Sequence, residues 1–253
     1  MAWKDFEPSA YWHHNYASLR EDDRAILEHV GGFFSEYHRE HPRVAGGPRV
    51  TGIDVGSGSN LYPALAMLPW ADEILLTDHS PSNVAWLRGA LAGQQPDTDA
   101  DGAWVWLPFW ETLRAYDGYD AATDPRRELT RRCSVEQRDV FQLQADGRFG
   151  IGTMFFVAES LTSYENEFEE ATEHFLRSLA PGAPFAAAFM DKSLGYVVGD
   201  KSFPAVREVD SLRVDVTLRQ FGAKARVTKI PVPGNDPLRD GYDGMIIAVG
   251  TTA

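Results

Sequence analysis

The sequence predicts an α/β fold, a Rossmann-like parallel sheet with helices on both faces. Three observations carry the prediction. From residue 49 onward, short apolar runs alternate with helix-patterned segments, the order in which a parallel sheet is assembled. The first run ends in Gly56-Ser57-Gly58, where the missing Cβ atoms let a ligand approach the backbone. Acids stand at or beside the ends of successive runs, at Asp54, Asp78 and Asp139. In an open α/β sheet the ligand crevice lies beyond those ends.

Taken in order, residues 6–18 (FEPSAYWHHNYAS) are rich in aromatics and histidine and show neither helical nor strand periodicity. Ser18 to Glu21 reads as a capping box. Ile26, Val30, Phe33 and Tyr37 then mark one face of a helix over residues 19–37. Residues 42–48, with two prolines and paired glycines, form a loop. A strand over 49–55 leads to a helix over 61–68. A second strand over 73–77 ends at Asp78, and Ser80 caps a helix over 81–92. Residues 94–101 are polar, 103–110 dense in tryptophan, and 124–132 charged and helical. The alternation then resumes with strands over 135–140 and 151–158, a helix over 166–179 and a turn at Pro181-Gly182. A strand over 184–190, a helix over 211–221 stopped by Gly222, and strands over 224–230 and 244–250 complete the chain. There is no internal repeat. We expect a single domain over 1–253, with an N-terminal lid and helix over 1–45 and a cap insertion over 94–132.

Composition narrows the function classes. A hydrophobic fraction of 43% is enough for a packed core. The formal charge of −13 disfavours a nucleic-acid binder, which needs clustered lysine and arginine, and mildly favours cationic ligands. No apolar run is long enough to span a bilayer, and residues 1–6 lack the pattern of a signal peptide. The one cysteine, Cys133, excludes an intrachain disulfide and a multi-cysteine metal site. The expectation is a cytoplasmic monomer with a small-molecule partner and no nucleic acid, membrane or metal.

The glycine turn carries the strongest chemical signal. A dinucleotide fingerprint would place a third glycine at position 61, which is Leu61. An acid followed by Gly56-Ser57-Gly58 without that glycine suits a nucleoside lacking a pyrophosphate, such as S-adenosylmethionine, although the same tripeptide can be a simple turn. Asp78, at the end of the second strand, can accept both ribose hydroxyls or serve as a helix cap. Asp139, beside Val140, can accept an adenine amino group while a neighbouring N–H reaches a ring nitrogen. The aromatic segment before residue 18 either packs on the first helix or closes over a substrate, and His13 and His14 within it are candidate bases. Glu159 and Asp191, which follow two later strands, are candidates to hold a cationic or hydrogen-bonding acceptor, or are surface ion-pair partners. No Gly-x-Ser-x-Gly elbow occurs, so a serine hydrolase lacks support.

These residues resemble the small-molecule N-methyltransferases that include nicotinamide, phenylethanolamine and indolethylamine N-methyltransferases. Phe6-x-Pro8-x-x-Tyr11-x-x-x-x-Tyr16 is similar to the family's lid. Residues 53–58, Tyr62 and 73–83 (EILLTDHSPSN) are similar to its cofactor half, and Met190-Asp191 with 196–203 (YVVGDKSF) to its acceptor side. The resemblance implies a seven-stranded class I methyltransferase sheet. It also implies S-adenosylmethionine bound by Tyr11, Tyr16, Gly56, Ser57, Gly58, Tyr62, Asp78, Asn83, Asp139 and Val140, with Glu159 and Asp191 orienting the acceptor. Asn15 stands where a second family tyrosine often precedes Tyr16, and the segment between Asp191 and Tyr196 is short. Both departures border the acceptor side, so the cofactor carries over more firmly than the substrate. The implied reaction is methyl transfer to nitrogen. The alternatives are transfer to a phenolic oxygen or an indole-type carbon, or a non-catalytic protein that binds the cofactor.

Overall fold

The computed structural model describes residues 6–95, 97–98, 102–234, 238 and 241–253. Residues 1–5 of the expected lid, and 96 and 99–101 of the expected insertion, lie outside them. The chain opens with two helices, α1 (Pro8–Tyr16) and α2 (Glu21–Glu40). Helix α1 is a departure from the sequence reading. Its buried positions Trp12, Asn15 and Tyr16 do follow helical spacing, but an asparagine among them hides the apolar stripe. Pro8 begins the helix, where its missing N–H costs nothing. The expected capping box is corrected: α2 starts after Arg20 with no side-chain cap, and Ser18 is exposed.

Strand β1 (Thr51–Val55), α3 (Tyr62–Met67), β2 (Glu73–Asp78) and α4 (Pro81–Leu91) follow. Ser80 caps α4 through its Oγ, which accepts the Asn83 N–H at 3.5 Å. The inserted segment folds into α5 (Leu107–Leu113), a short 3₁₀ turn and α6 (Pro125–Arg132), with Asp124 capping α6. Next come β3 (Cys133–Gln137), a 3₁₀ turn at Val140–Gln142, β4 (Ile151–Phe155), α7 (Glu165–Ser178) and β5 (Pro184–Asp191). Strand β4 is three residues shorter than the 151–158 expected because Phe156 adopts φ 60°, which ends the extended run. A small hairpin of β6 (Tyr196–Val198) and β7 (Lys201–Phe203) was not foreseen. Helix α8 (Ser211–Gln220), β8 (Lys224–Pro231) and β9 (Gly244–Thr251) close the fold.

The main sheet has seven strands in the order β3-β2-β1-β4-β5-β9-β8. Neighbours from β3 to β5 pair parallel, whereas β9 runs antiparallel to both β5 and β8. Residue alternation sorts the strands between two apolar layers. On β5, Ala186, Ala188 and Met190 join a layer with α2, α3, α4 and α5. The intervening Phe185, Ala187 and Phe189 join a layer with α7 and α8. Burial on both faces explains why β1, β2, β4 and β5 read as continuous apolar runs. Among the described residues no helix is long and apolar enough to cross a membrane.

Candidate active site

The carboxyl ends of β1, β2 and β4 converge on a cavity of about 240 Å³. The sheet order reverses there, because β1 lies between β2 and β4, and such a switch point is where an open α/β sheet binds its ligand. The turn after β1 forms one wall. Gly56 and Gly58 have φ 67° and 60°, a region that side chains strongly disfavour. A Cβ on Gly56 would also meet Val157 Cγ2 at 2.5 Å. The glycine is therefore fixed by both backbone conformation and contact.

Asp78 holds this turn from the end of β2. Its Oδ2 accepts the Gly58 N–H at 2.8 Å, and its Oδ1 accepts the Ser80 N–H at 2.8 Å and Asn83 Nδ2 at 3.1 Å. Burial raises its pKa, and the three hydrogen bonds oppose the rise. Asp54 lies deeper, with 1% exposure. Its Oδ1 accepts from Thr153 Oγ1 at 2.7 Å, and burial pushes its carboxyl up to about 7.

Three polar atoms of residues lining this cavity are buried without a hydrogen-bond partner: Asp54 Oδ2, Ser59 Oγ and Asn83 Oδ1. Native proteins rarely leave such atoms unsatisfied, so their gathering here fits a polar ligand. A nucleoside with an amino-acid tail matches the set, since hydroxyls, an ammonium and a carboxylate can each meet one of these atoms. At the far end, Asp139 Oδ1 accepts the Phe141 N–H at 3.0 Å, and its Oδ2 lies 3.8 Å from His79 Nδ1. Val140 and Phe141 give that end an apolar surface suited to a purine.

Aromatic residues close the cavity from the side of α1. Phe6, Tyr11 and Tyr16 line it together with Tyr196 of the hairpin. Phe6 packs edge-on to Phe203 at 5.2 Å, Tyr11 packs edge-on to Tyr196 at 6.0 Å, and Tyr196 stacks on Phe203 at 5.2 Å. The Phe6 carbonyl accepts from Ser82 Oγ at 2.8 Å, which ties the lid to the start of α4.

Nine residues expected at the cofactor line the cavity: Tyr11, Tyr16, Gly56, Ser57, Gly58, Asp78, Asn83, Asp139 and Val140. Tyr62 does not. It is fully buried beneath Tyr16, its ring stacked on Phe109 at 5.5 Å, and its hydroxyl donates to Asp23 Oδ1 at 3.0 Å. Glu159 and Asp191 are buried behind the wall rather than in it. Glu159 Oε1 accepts the Met190 N–H at 3.0 Å and Ser160 Oγ at 3.3 Å, while Asp191 Oδ2 is paired with Lys229 Nζ. His13 and His14 are exposed on the outer side of α1, with His14 Nε2 3.2 Å from the Leu238 carbonyl.

Asp54, Ser59, Asn60, Phe155, Phe156 and Tyr196 line the cavity without having been assigned from sequence. Asp54 was visible as the acid of the glycine motif, and Tyr196 lay within the acceptor-side segment. Nothing in the sequence marks the left-handed backbone that places Phe156. Among the described residues no group of three His, Cys, Asp or Glu side chains is placed to hold a metal ion.

Comparison with known proteins agrees with this geometry. Among solved structures, the CurJ carbon methyltransferase superposes with a TM-score of 0.55 at 10% identity, covering 95% of this chain and 57% of that one. The DszA carbon methyltransferase gives a TM-score of 0.55 at 13% identity, again covering 95% and 57%. The chain thus spans little more than half the length of either, and at such identities the likeness is one of fold. No curated protein sequence gives a significant match. The family model for NNMT/PNMT/TEMT matches residues 1–249. The chain accordingly belongs to the NNMT/PNMT/TEMT family.

Proposed function

We propose that the chain transfers a methyl group from S-adenosylmethionine to a nitrogen of a small-molecule acceptor by direct in-line displacement. When bound, the cofactor supplies a methyl group activated by a positively charged sulfur. The protein contributes position and exclusion of water. Asp78 and Asn83 accept ribose hydroxyls, Asp139 accepts the adenine amino group, and Asp54 receives the ammonium of the tail. Tyr11, Tyr16 and Phe6 roof the site against solvent. Pre-organisation of this kind can contribute roughly 7–11 kcal/mol to a rate. Glu159 and Asp191, beyond the ends of β4 and β5, position the acceptor side indirectly, Glu159 through Ser160 and the Met190 N–H and Asp191 through Lys229.

One observation carries the choice of nitrogen: both candidate bases, His13 and His14, face solvent and neither lines the cavity, while the histidine that does, His79, stands beside Asp139 at the purine end. A neutral amine attacks without losing a proton first, whereas a phenol must be deprotonated. The test is product analysis by mass spectrometry. The purified protein is incubated with S-adenosylmethionine and a panel of amines, nitrogen heteroaromatics, phenols and indoles. We expect N-methylated products whose yield survives His13→Ala and His14→Ala. Turnover of phenols alone, rising steeply around pH 6–7 and lost with one histidine, would instead establish O-methylation. Cofactor binding with no turnover on any acceptor would mark a binding protein. Within the proposed roles, Asp191→Ala, which removes the partner of Lys229 rather than a direct ligand contact, lowers acceptor turnover by about tenfold. Affinity for S-adenosylhomocysteine stays within about threefold on the same scale. An equal loss of both would contradict the division of labour.

A further inference from the structure

We propose that the residues just before β9 latch the lid: Tyr242, fastened to the buried Asp22 carboxylate, holds the Leu238 backbone against α1 and keeps the roof closed over the cavity. The inference rests on the reading of the cavity as the cofactor site. It gives a role to Asp22, His14 and Tyr242, which all lie outside the cavity lining.

The latch starts in the first turn of α2, where Asp22 is 1% exposed. Its Oδ1 accepts from Arg20 Nε at 3.3 Å and from the Asp23 N–H at 3.1 Å, and its Oδ2 accepts from the Tyr242 hydroxyl at 3.4 Å. That hydroxyl in turn accepts the buried Leu238 N–H at 3.2 Å. The Leu238 carbonyl lies 3.2 Å from His14 Nε2. A carbonyl only accepts, so His14 donates from Nε2. One chain of hydrogen bonds therefore runs from the core to α1. The neighbouring residue is fixed to the end of β5, because the Asp243 N–H donates to the Asp191 carbonyl at 3.0 Å and the Asp243 carboxylate pairs with Lys192 at 3.3 Å.

The energetics follow from burial. With the lid shut, the Leu238 N–H is buried and Tyr242 is its partner; with the lid raised, water can replace it. Removing the hydroxyl therefore penalises the closed state more than the open one, and the opening equilibrium moves by the weight of one buried hydrogen bond. Tyr11 and Tyr16, which line the cavity, lie on the same helix as His14. Release of His14 thus frees the roof.

The test compares wild type with Tyr242→Phe, His14→Ala and the control His13→Ala. Hydrogen exchange in the ligand-free protein reads lid opening directly. We expect the α1 amides to exchange about tenfold faster in Tyr242→Phe and about threefold faster in His14→Ala, with β1 and β2 unchanged within about twofold. Stopped-flow dissociation of S-adenosylhomocysteine should accelerate by the same factors. Adding His14→Ala to Tyr242→Phe should change nothing further, because both act through Leu238. The His13→Ala control should match wild type throughout. Unchanged α1 exchange in both variants, or equal acceleration in β1 and β2, overturns the latch. Wild-type protein that does not bind S-adenosylhomocysteine overturns the cofactor reading, while the exchange result still decides the latch.

Discussion

The two halves of the site are built by different rules. At the ends of β1 and β2, Asp78 is held by its chain neighbours Ser80 and Asn83, and the glycine turn by Thr77 and Asp78 of the adjacent strand. At the ends of β4 and β5 they are held by distant ones. Glu159 depends on the Met190 N–H, and Asp191 on Lys229 of an edge strand. The first half is preshaped as a cavity with unsatisfied polar atoms, while the carboxylates of the second are already engaged and lie outside its lining. A site assembled within one short motif can be recognised from its spacing; one assembled across the sheet cannot.

The comparison is most exposed at Asp78. Asp78→Ala removes a proposed ligand contact and the anchor of the Gly58 turn together. S-adenosylhomocysteine affinity should fall by about 100-fold, the weight of one or two hydrogen bonds to a charged group. A change within threefold in calorimetry would mean the preshaped half is not where the cofactor binds. On the other side, Lys229→Met leaves the buried Asp191 carboxylate without its cation. The loss of stability should be about 1–2 kcal/mol, reduced from the cost of breaking a fully buried pair because Lys229 is half exposed. Chemical denaturation measures it, and cofactor affinity should not change. If affinity falls as far as in Asp78→Ala, the two halves are not separable.

Tyr62 sharpens the boundary between them. Because its hydroxyl is bound to Asp23 below the cavity, Tyr62→Phe should cost about 1 kcal/mol of stability with little effect on binding. A tenfold loss of S-adenosylhomocysteine affinity would instead place the phenol at the ligand.

A smaller effect follows from Asp23 itself. Burial, reinforced by the neighbouring Asp22 carboxylate, raises its pKa from the ordinary 3.8 to about 7. The folded protein therefore holds a proton that the unfolded chain releases, and stability falls as pH rises from about 4 to 7. Melting temperatures measured across that range should decline. The decline should be shallower in Asp23→Asn, which cannot ionise, and an identical slope in the variant would remove Asp23 as its source.

Much of this was legible from spacing. The parallel core, the Gly56-Ser57-Gly58 turn, and the cavity positions of Asp78 and Asp139 follow from local patterns, and that of Asn83 from the family resemblance. Helix α1 was hidden because its buried face includes Asn15. The short β4 could not be read because a positive φ at Phe156 leaves no compositional trace. The surroundings of Asp191 and Tyr62 depend on Lys229 and Asp23, which lie tens of residues away in sequence and carry no motif linking them to their partners.

The central claim is that the cavity at β1, β2 and β4 binds S-adenosylmethionine through these residues. Its most direct test is calorimetric titration of the purified protein with S-adenosylhomocysteine, with NAD as the control. The account predicts micromolar or tighter binding of S-adenosylhomocysteine and none of NAD. Binding of NAD instead, or of neither, would contradict it.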